Sequence, residues 1–574
     1  MKRKLVKLYF LFGLLVAINA QTNSVKIDEL IQRYVDLGQF SGSVLIAEND
    51  EIILKKGYGL ADREWNISNT PETKFRIGSV TKQFTSMLIF MLYEEGKIKL
   101  DGKLYDYLPY YRKDTGEKIT ISQLLNHTSG IPSYTNTDNF FQATGKLKAV
   151  PKDFIIEHCS GDLEFEPGSK WVYNNSAYFI LGAIIEKVTG LTYEQALTNM
   201  IFEPLGMNNS GVDNHLTIIK KRAAGYRKTF LFPQNDDFVD MTTPYAAGAI
   251  YSTVEDLYKW DRALYTNKLI SDETMKLMLT PVSNGYANGW SVQSMKFDNG
   301  DSVVAYHHSG GINGFTSLIY RIPEKKQLAI AVANIIPGSV REIVTGSLNI
   351  INGDEADFPK TSLSLLLAQK LKDDIEFDSY SFFQKLKETD DYENFPGYEW
   401  ELNRFGYELL ENGYIETSLK IFKINTELYP ESFNVYDSMG EALVRAGKNE
   451  EAIASYQKAL DLNPNLISSI DALKELGVNI KAPEKIKLTD DEIKLISGKY
   501  ELSPSFIISI YNEQDKIMAK ASGQPAIEIT PASVTSFYNN QIPIQIEFVK
   551  NDSGVIESLN LFQNGQKIPG KKIE

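Results

Sequence analysis

Cysteine is almost absent from this chain, which has Cys159 as its one cysteine in 574 residues. A single cysteine excludes an internal disulfide framework and cannot build a cysteine-based zinc site alone. Histidine is also scarce, with five residues and no His-Glu-x-x-His pattern among them. We therefore expect a globular protein that uses no metal ion and no other cofactor.

Positive charge is in deficit. Lys and Arg number 60 against 74 Asp and Glu, which gives a net charge of −14 and a pI near 5.1. Binding to phosphate backbones needs clustered Lys and Arg, so this balance argues against a nucleic-acid partner. The composition, 43% hydrophobic and 23% charged, is that of ordinary globular domains. A chain of this length is too long to fold around one hydrophobic core, so two to four domains are expected.

Long apolar runs are also lacking, apart from one at the N-terminus. The basic "MKRKLVK" is followed by the short apolar run "LYFLFGLLVAI" and by the small residue Ala20. This order predicts a signal peptide over residues 1–20, cleaved before Gln21. The run is too short to span a bilayer comfortably. We expect an exported protein, periplasmic or secreted, with no stable membrane span after cleavage.

The region 21–358 mixes short β-rich runs with helices. The segment 41–59, "SGSVLIAENDEIILKKGYG", predicts a hairpin around the polar turn "END". The segment 81–96, "TKQFTSMLIFMLYEEG", predicts a helix that Gly96 ends. Strand and turn signals alternate over 302–335. We therefore predict an α+β domain whose antiparallel sheet combines strands from both ends of the region.

A repeat begins near residue 400. Segments 406–430 and 440–464 align with a period of 34 residues and resemble the tetratricopeptide repeat. We predict repeats at 406–439 and 440–473 within a helical region, 359–482. Flanking helices near 362–388 and 466–476 would cap the stack. Two roles remain open: contact with a protein partner or self-association, and a rigid spacer. The strand-rich segment 488–574 predicts a small β-rich accessory domain.

Ser79 precedes Lys82 by three residues at the start of the predicted helix 81–96. Residues at this spacing share a helix face, so the amine can reach the hydroxyl and remove its proton. Burial of the amine would lower its pKa toward neutrality. However, about two Ser-x-x-Lys matches are expected by chance in such a chain. Ser455 and Lys458 form another match, which we interpret as solvated surface of a repeat helix.

A second proton-relay group is needed beside such a serine, and Tyr-x-Asn is the companion signature. The first residues of its five matches are Tyr134, Tyr173, Tyr265, Tyr286 and Tyr538. Only Tyr173 has a loop before it and an amphipathic helix after it, which places its phenol at a rigid junction. The other four are predicted to be surface or packing tyrosines.

The third motif is "HHSGG", which begins at His307. Small residues in a strand let its backbone approach a ligand closely. Because Ser309 and two glycines follow His308, we assign His308 and Ser309 to substrate binding. His307 is interpreted as a structural histidine.

The ordered set "SVTK", "YNN" and "HSG", supported by "LLNHTSGIP" at 124–132, resembles the serine β-lactamase family. More narrowly, it resembles the branch of class C β-lactamases, D-Ala-D-Ala carboxypeptidases and related esterases. The resemblance implies a sheet flanked by helices and packed against an all-α cluster. It also implies that Ser79 is the acylated nucleophile and Lys82 its activating partner. Tyr173 would shuttle protons and Asn175 would hold the substrate amide.

The resemblance further implies an oxyanion hole made by the backbone N–H groups of Ser79 and Gly311. Whether Lys82 or Tyr173 is the acylation base stays open. β-Lactamases themselves usually have a lysine at the position of His308. A histidine there weakens the case for an efficient β-lactamase and predicts a pH-sensitive binding step.

The sequence thus predicts a serine hydrolase that forms an acyl-enzyme with a small-molecule or peptide acyl substrate. The substrate would be an ester, a D-amino-acid peptide or an amide, and weak β-lactamase activity is a variant of this function. The alternative is a catalytically inactive binding protein whose repeats recruit a protein or peptide.

Overall fold

The computed structural model describes residues 22–137, 140, 142–480, 486–503, 506–513, 515–522, 524, 526–539, 544–551, 553–563 and 566–573. The predicted signal peptide lies outside these residues. Contacts divide the chain into two units. The first contains the residues up to Lys228 and Pro233–Pro359, and the second contains Thr229–Phe232 and the residues from Lys360 onward. The four-part division at 20, 358 and 482 stays a prediction.

A six-stranded antiparallel sheet forms the centre of the first unit. In spatial order its strands are Ser291–Lys296, Ser302–Ile312, Phe315–Ile322, Gln327–Ala333, Gly42–Glu48 and Glu51–Tyr58. The predicted hairpin is present, and Asn49 and Asp50 make its turn with positive φ angles. The prediction that strands from both ends of the region share one sheet is confirmed.

Both faces of this sheet are covered, which explains the unbroken apolar run in Gly42–Glu48. Leu45 and Ala47 point into a large core shared with the all-α cluster. Val44 and Ile46 point into a second core, with the helices 22–36 and Val340–Asn352. Alternate residues of a strand face opposite sides, so a strand buried on both faces is apolar throughout.

Shorter elements complete the first unit. Its other helices are Thr81–Glu94, Leu104–Tyr107, Lys113–Gly116, Ile121–Leu125, Pro151–His158, Asn175–Thr189, Tyr193–Leu197, Glu203–Leu205, Tyr245–Gly248, Val254–Ala263 and Asp272–Met278. Its short strands are Leu60–Asp62, Ile67–Ser68, Phe75–Arg76, Gly211–Val212, Tyr226–Arg227, Gln234–Asn235, Ile250–Ser252 and Ile335–Ile336.

The helix Thr81–Glu94 runs through the middle of the large core. A 3₁₀ turn, Gly78–Val80, leads into it, and Gly96 follows its end with a φ of 71°. Eleven of its fourteen residues are buried, including Lys82. The sequence therefore places a lysine where water cannot reach its amine freely.

Seven helices of the second unit form the repeat region. They are Leu363–Asp373, Ser379–Lys387, Glu399–Glu411, Ile415–Leu428, Phe433–Arg445, Asn449–Leu462 and Ile467–Glu475. The predicted flanking helices are present on both sides of the repeats. The helical hairpins begin at Glu399 and Phe433, about seven residues before the predicted repeat starts, because periodicity marks equivalent positions and not helix ends.

Two glycines explain the period of the repeats. A Cβ atom added at Gly406 would lie 2.6 Å from the ring of Phe422, and one added at Gly440 would lie 2.7 Å from the ring of Tyr456. In each hairpin an aromatic ring packs against helix backbone, and only glycine leaves room for it. Each glycine precedes its aromatic partner by the same distance along the chain.

Ser455 corrects one prediction from the sequence. Its side chain is buried and its hydroxyl donates to the backbone carbonyl of Tyr436 at 3.0 Å, while Lys458 is exposed. The pair is therefore not solvated surface as a whole. Its serine is a buried helix-packing residue.

The C-terminal segment is a barrel-like antiparallel module. A helix, Asp490–Ile496, precedes strands Gly498–Ser503, Phe506–Glu513, Lys516–Ala521, Ile527–Glu528, Thr530–Pro531, Ser536–Tyr538, Ile544–Lys550, Ile556–Gln563 and Gln566–Lys572. Consecutive strands pair with each other except Ile527–Glu528 and Thr530–Pro531, and the last strand returns to pair with the first. Ile529 alone separates the two strands at the ends of the sheet, so the sheet curls almost into a ring.

The segment Thr229–Phe232 belongs to the second unit although its neighbours in the chain belong to the first. The Glu408 carboxylate accepts hydrogen bonds from the backbone N–H groups of Phe230, Leu231 and Phe232 at 2.6, 2.6 and 3.2 Å. Three donors compensate a buried carboxylate for lost water.

Among the described helices, none is long and apolar enough to cross a membrane.

Candidate active site

Ser79 lies in the 3₁₀ turn that leads into the buried helix, and its side chain is only partly buried. The turn packs against the strand Ser302–Ile312. A Cβ atom at Gly78, whose φ is +50°, would lie 2.9 Å from the backbone nitrogen of Gly311. The first and third sequence motifs therefore meet with their backbones in close contact, and Ser79 and Gly311 line the same cavity.

Three oxygen atoms surround the amine of Lys82. Its Nζ atom lies 3.1 Å from Ser79 Oγ, 2.9 Å from Asn175 Oδ1 and 2.8 Å from the carbonyl oxygen of Ala247. A neutral amine has two N–H groups and one lone pair. The two carbonyl oxygens can only accept, so they take both N–H groups. The lone pair then faces the hydroxyl of Ser79, which is the geometry of a base for that proton.

Burial of Lys82 favours this neutral form. Its side chain is fully buried, and desolvation holds its pKa well below the usual value for lysine. The rings of Tyr173 and Tyr178 face the amine, with centroids 4.9 and 5.5 Å from Nζ. No carboxylate is a partner of Lys82 among the described contacts, so nothing there restores the charged form.

Tyr173 lies where the prediction places it, two residues before the helix Asn175–Thr189. Its hydroxyl is buried and has no hydrogen-bond partner among the described residues. Burial raises the pKa of Tyr173, and the nearby hydroxyl of Ser79 offsets part of this rise. A buried hydroxyl without a partner needs an explanation, and its position next to Ser79 makes Tyr173 a candidate for proton exchange with a substrate.

Asn174 and Asn175 fix the start of that helix. The side chain of Asn174 caps it by accepting from the backbone N–H of Ala177 at 2.9 Å. The amide of Asn175 connects Lys82 to Thr135, since its Nδ2 donates to Thr135 Oγ1 at 3.0 Å. The cap thus sets the position of the side chain that holds the lysine amine.

His308 lies in the same strand as Gly311 and is buried. Its Nδ1 donates to the carbonyl oxygen of Ser309 at 2.6 Å, and its Nε2 lies 3.0 Å from the hydroxyl of Tyr286. Burial lowers the pKa of His308 to about 3. The ring is therefore neutral above pH 4. The pH-sensitive binding step predicted from an ordinary histidine is thus not expected near neutral pH.

The two neighbours of His308 differ from it. Ser309 is exposed to solvent, and its role in substrate binding stays a prediction. His307 stacks on Tyr320 with a centroid distance of 5.0 Å, and its Nε2 lies 3.2 Å from Gln293 Oε1. These contacts agree with a structural role for His307.

A cavity of about 290 Å³ opens beside Ser79. Its lining residues are Ser79, Tyr134, Thr135, Phe140, Asn175, Val239, Thr243, Pro244, Ala247, Gly248, Gly311, Ile312 and Asn313. Among these described residues there is no Asp, Glu, Lys, Arg or His. A mainly apolar wall with a few hydroxyl and amide groups is typical of a site for a small organic group.

The structure places three further residues beside the candidate active site that the sequence analysis did not assign to it. Tyr134 and Tyr286 belong to Tyr-x-Asn matches that were predicted to be surface or packing residues, yet Tyr134 lines the cavity and Tyr286 bonds to His308. His127 packs against Tyr173 with a ring-centroid distance of 4.4 Å. Its φ of +63° could not be predicted, and the phrase "LLNHTSGIP" was the available signal.

Comparison with known proteins shows which families this chain is similar to. The sequence model of the family described as Beta-lactamase matches residues 27–343, and that of the TPR repeat matches residues 440–469. PbpX of Bacillus subtilis (strain 168), a penicillin-binding protein by name, is 34% identical over 280 residues. This match covers 49% of the present chain and 69% of PbpX.

Two further proteins extend the comparison. Protein flp of Staphylococcus aureus (strain MRSA252) is 30% identical over 343 residues, which cover 56% of this chain and 66% of flp. The octameric penicillin-binding protein homologue from Pyrococcus abyssi matches 95% of this chain and 99% of its own, with a TM-score of 0.50 and 20% identity, and so shows the fold alone. Because the family model matches residues 27–343, more than half of the chain, the chain belongs to the β-lactamase family of serine hydrolases.

Proposed function

We propose that this protein is an exported hydrolase that forms a covalent acyl-enzyme on Ser79. Its substrates are esters, D-amino-acid peptides or amides, and weak hydrolysis of β-lactams is a variant of the same chemistry. The observation that carries the proposal is the buried amine of Lys82, whose Nζ atom lies 3.1 Å from Ser79 Oγ and is oriented by two carbonyl oxygens. In the neutral amine this arrangement directs the lone pair at the hydroxyl of Ser79. A serine hydroxyl becomes an effective nucleophile when an adjacent base takes its proton.

Acylation follows from these positions. Ser79 Oγ attacks the substrate carbonyl as its proton passes to Lys82 Nζ, and the carbonyl π electrons move to the oxygen. The backbone N–H groups of Ser79 and Gly311 stabilise this oxyanion; one such donor is typically worth about 10²–10³ in rate. The carbonyl re-forms as the bond to the leaving group breaks, and Tyr173 gives the leaving group a proton.

Deacylation uses the same groups in reverse. Tyr173, having lost its proton, takes one from water, and the resulting hydroxide attacks the acyl carbonyl. The bond to Ser79 Oγ breaks, and the oxygen regains its proton from Lys82. Asn175 and the exposed Ser309 contact the substrate, and His308 supports this side of the site as a neutral residue bonded to Tyr286. The repeats bind a protein partner or a second copy of the chain.

Intact-mass measurement with a fluorophosphonate probe tests this proposal. The expected result is one adduct on the wild-type protein, none on Ser79→Ala and an unchanged adduct on Ser455→Ala. The second variant removes the serine of the other Ser-x-x-Lys pair. A parallel incubation with benzylpenicillin tests the binding that the name of PbpX describes. Folded protein without any fluorophosphonate adduct would contradict the proposal and favour a binding protein that has lost its chemistry.

A further inference from the structure

His127 holds the backbone on both sides of Tyr173. The N–H of Val172 donates to the carbonyl oxygen of His127 at 3.0 Å. The N–H of Asn174 donates to the Nδ1 atom of the same residue at 3.1 Å. The residue before Tyr173 and the residue after it are thus bonded to one histidine, distant in sequence from all three motifs.

The hydrogen bond from Asn174 fixes the tautomer of this ring. A backbone N–H can only donate, so Nδ1 must carry a lone pair, and in the neutral ring the proton lies on Nε2. Nε2 is buried and has no hydrogen-bond partner among the described residues. Protonation of Nδ1 would set two donors against each other and break the bond. Burial lowers the pKa of His127 well below its usual value, and this keeps the bond intact in mild acid.

Aromatic side chains enclose the imidazole. Its centroid lies 4.4 Å from that of Tyr173, 4.6 Å from that of Tyr286 and 5.2 Å from that of Tyr178. The backbone of His127 has a φ of +63°, which a non-glycine residue rarely adopts. Strain and an unpaired buried donor persist only where the surrounding structure requires the residue, and such features cluster at functional sites.

We propose that His127 is a positioning residue that sets the place of the Tyr173 phenol through the two peptide groups beside it and through ring contact. The inference rests on the proposed role of Tyr173 in proton transfer. The hydrogen bonds and ring contacts described for His127 include no residue that lines the cavity, and Ser79 is not among them. Its effect on the reaction therefore passes through Tyr173.

Asparagine and leucine have similar shapes, so substitution of His127 by each of them tests the hydrogen bond at a constant side-chain shape. His127→Asn keeps an acceptor at the δ position, and asparagine tolerates positive φ. His127→Leu has the same branching and no acceptor. With p-nitrophenyl acetate as substrate, we expect kcat of His127→Asn to stay within about fivefold of wild type and kcat of His127→Leu to fall about 10- to 100-fold, the loss expected when a reacting group is misplaced. KM should change less than kcat in both.

Combination with Tyr173→Phe gives the decisive comparison. If His127 acts through Tyr173, His127→Leu lowers kcat strongly in the wild-type background and little in the Tyr173→Phe background. A merely structural role would lower kcat by the same factor in both backgrounds and would overturn the inference. Wild-type kcat in His127→Leu would overturn it as well.

Failure of the proposed function would give a different result. In that case Tyr173→Phe alone would retain wild-type activity. Should His127→Leu not fold, His127→Gln replaces it in the same cycle. Glutamine has the same amide group as asparagine, but its oxygen is at the ε position and not at the δ position that accepts from Asn174 N–H. The same factors of kcat are then expected, and equal losses in both backgrounds again overturn the inference.

Discussion

The Nζ atom of Lys82 lies 3.1 Å from the Oγ atom of Ser79. Lys82 belongs to the helix Thr81–Glu94, and most of that helix, including Lys82, is buried. The lysine has no carboxylate partner among the described residues and uses two carbonyl oxygens to orient its amine. Burial favours the neutral form of the amine. The two carbonyl oxygens accept its two N–H groups, so the lone pair points toward Ser79.

Removal of the amine should abolish activation of Ser79. Lys82→Met keeps most of the side-chain volume in the core and removes the base, so the rate of fluorophosphonate labelling should fall about 10²- to 10⁴-fold. The measurement is the second-order rate constant of labelling. Lys458→Met, in the other Ser-x-x-Lys pair, is the matched control and should label at the wild-type rate.

Two tyrosines face Lys82 at similar distances, and they should respond differently to loss of the hydroxyl. Tyr173→Phe removes an unpaired hydroxyl beside Ser79 and should lower kcat about 10²- to 10⁴-fold. Tyr178→Phe removes a hydroxyl that donates to the carbonyl of Leu125 at 2.7 Å. It should lower the free energy of unfolding by about 1 kcal/mol and change kcat only a few-fold. Equal kinetic losses in both variants would contradict the assignment of Tyr173.

The dependence of the rate on pH should show one limb from Lys82. A base works in its neutral form, so kcat/KM should rise with pH through the pKa of Lys82 and then level off. Because burial lowers the pKa of Lys82, that limb should lie well below the usual lysine range. A profile of kcat/KM from pH 4 to 10, with a correction for unfolding, measures it. A limb near pH 10.5 would show that Lys82 is charged at neutral pH and is not the base.

Acid should destabilise the protein through His308. The pKa of His308 is lowered to about 3 in the folded state. Between that value and the unfolded pKa near 6.5, the unfolded chain binds more protons, so this contribution to stability is full above pH 6.5 and is lost as pH falls. From pH 7.5 to pH 5 the loss from this group is about 2 kcal/mol at most. Urea unfolding of wild type and His308→Gln at both pH values measures it, and equal pH dependence of the two proteins would contradict it.

Gly440 should resist replacement by alanine. In an open helix, alanine would stabilise by about 1 kcal/mol relative to glycine. Here the added Cβ would lie 2.7 Å from the ring of Tyr456, so Gly440→Ala should lower the free energy of unfolding by about 1–3 kcal/mol. Urea denaturation measures the change. Gln457→Ala, at an exposed position of the neighbouring helix, is the control and should have little effect. A stabilised Gly440→Ala would show that the ring can move.

Local signals were sufficient for much of the fold and for part of the site. The pair Ser79 and Lys82 is set by helical spacing, and Tyr173 by the loop before a helix, so both could be predicted from the chain alone. The hairpin at 41–59 and the repeats follow from alternation and period. The almost closed ring of the C-terminal module could not be predicted, because it depends on pairing of its first and last strands.

Long-range contacts explain what the sequence analysis missed. Tyr286, in the loop before the strand Ser291–Lys296, meets His308 through the fold and not through a local spacing, so a tyrosine in a weak motif match was interpreted as packing. His127 acts on the backbone beside Tyr173 from a loop far away in sequence. Ser455 looked exposed because its helix is polar, whereas its hydroxyl bonds to the carbonyl of Tyr436 inside the hairpin.

The most direct test of the account traps the acyl-enzyme itself. Tyr173→Phe should acylate with p-nitrophenyl acetate and deacylate slowly, so intact mass should show one added acetyl group. Peptide mapping should locate it on Ser79, and the doubly substituted Ser79→Ala, Tyr173→Phe protein should remain unmodified. Release of nitrophenol by folded protein with no acetyl group on Ser79, or with the acetyl group on another residue, would contradict the central claim.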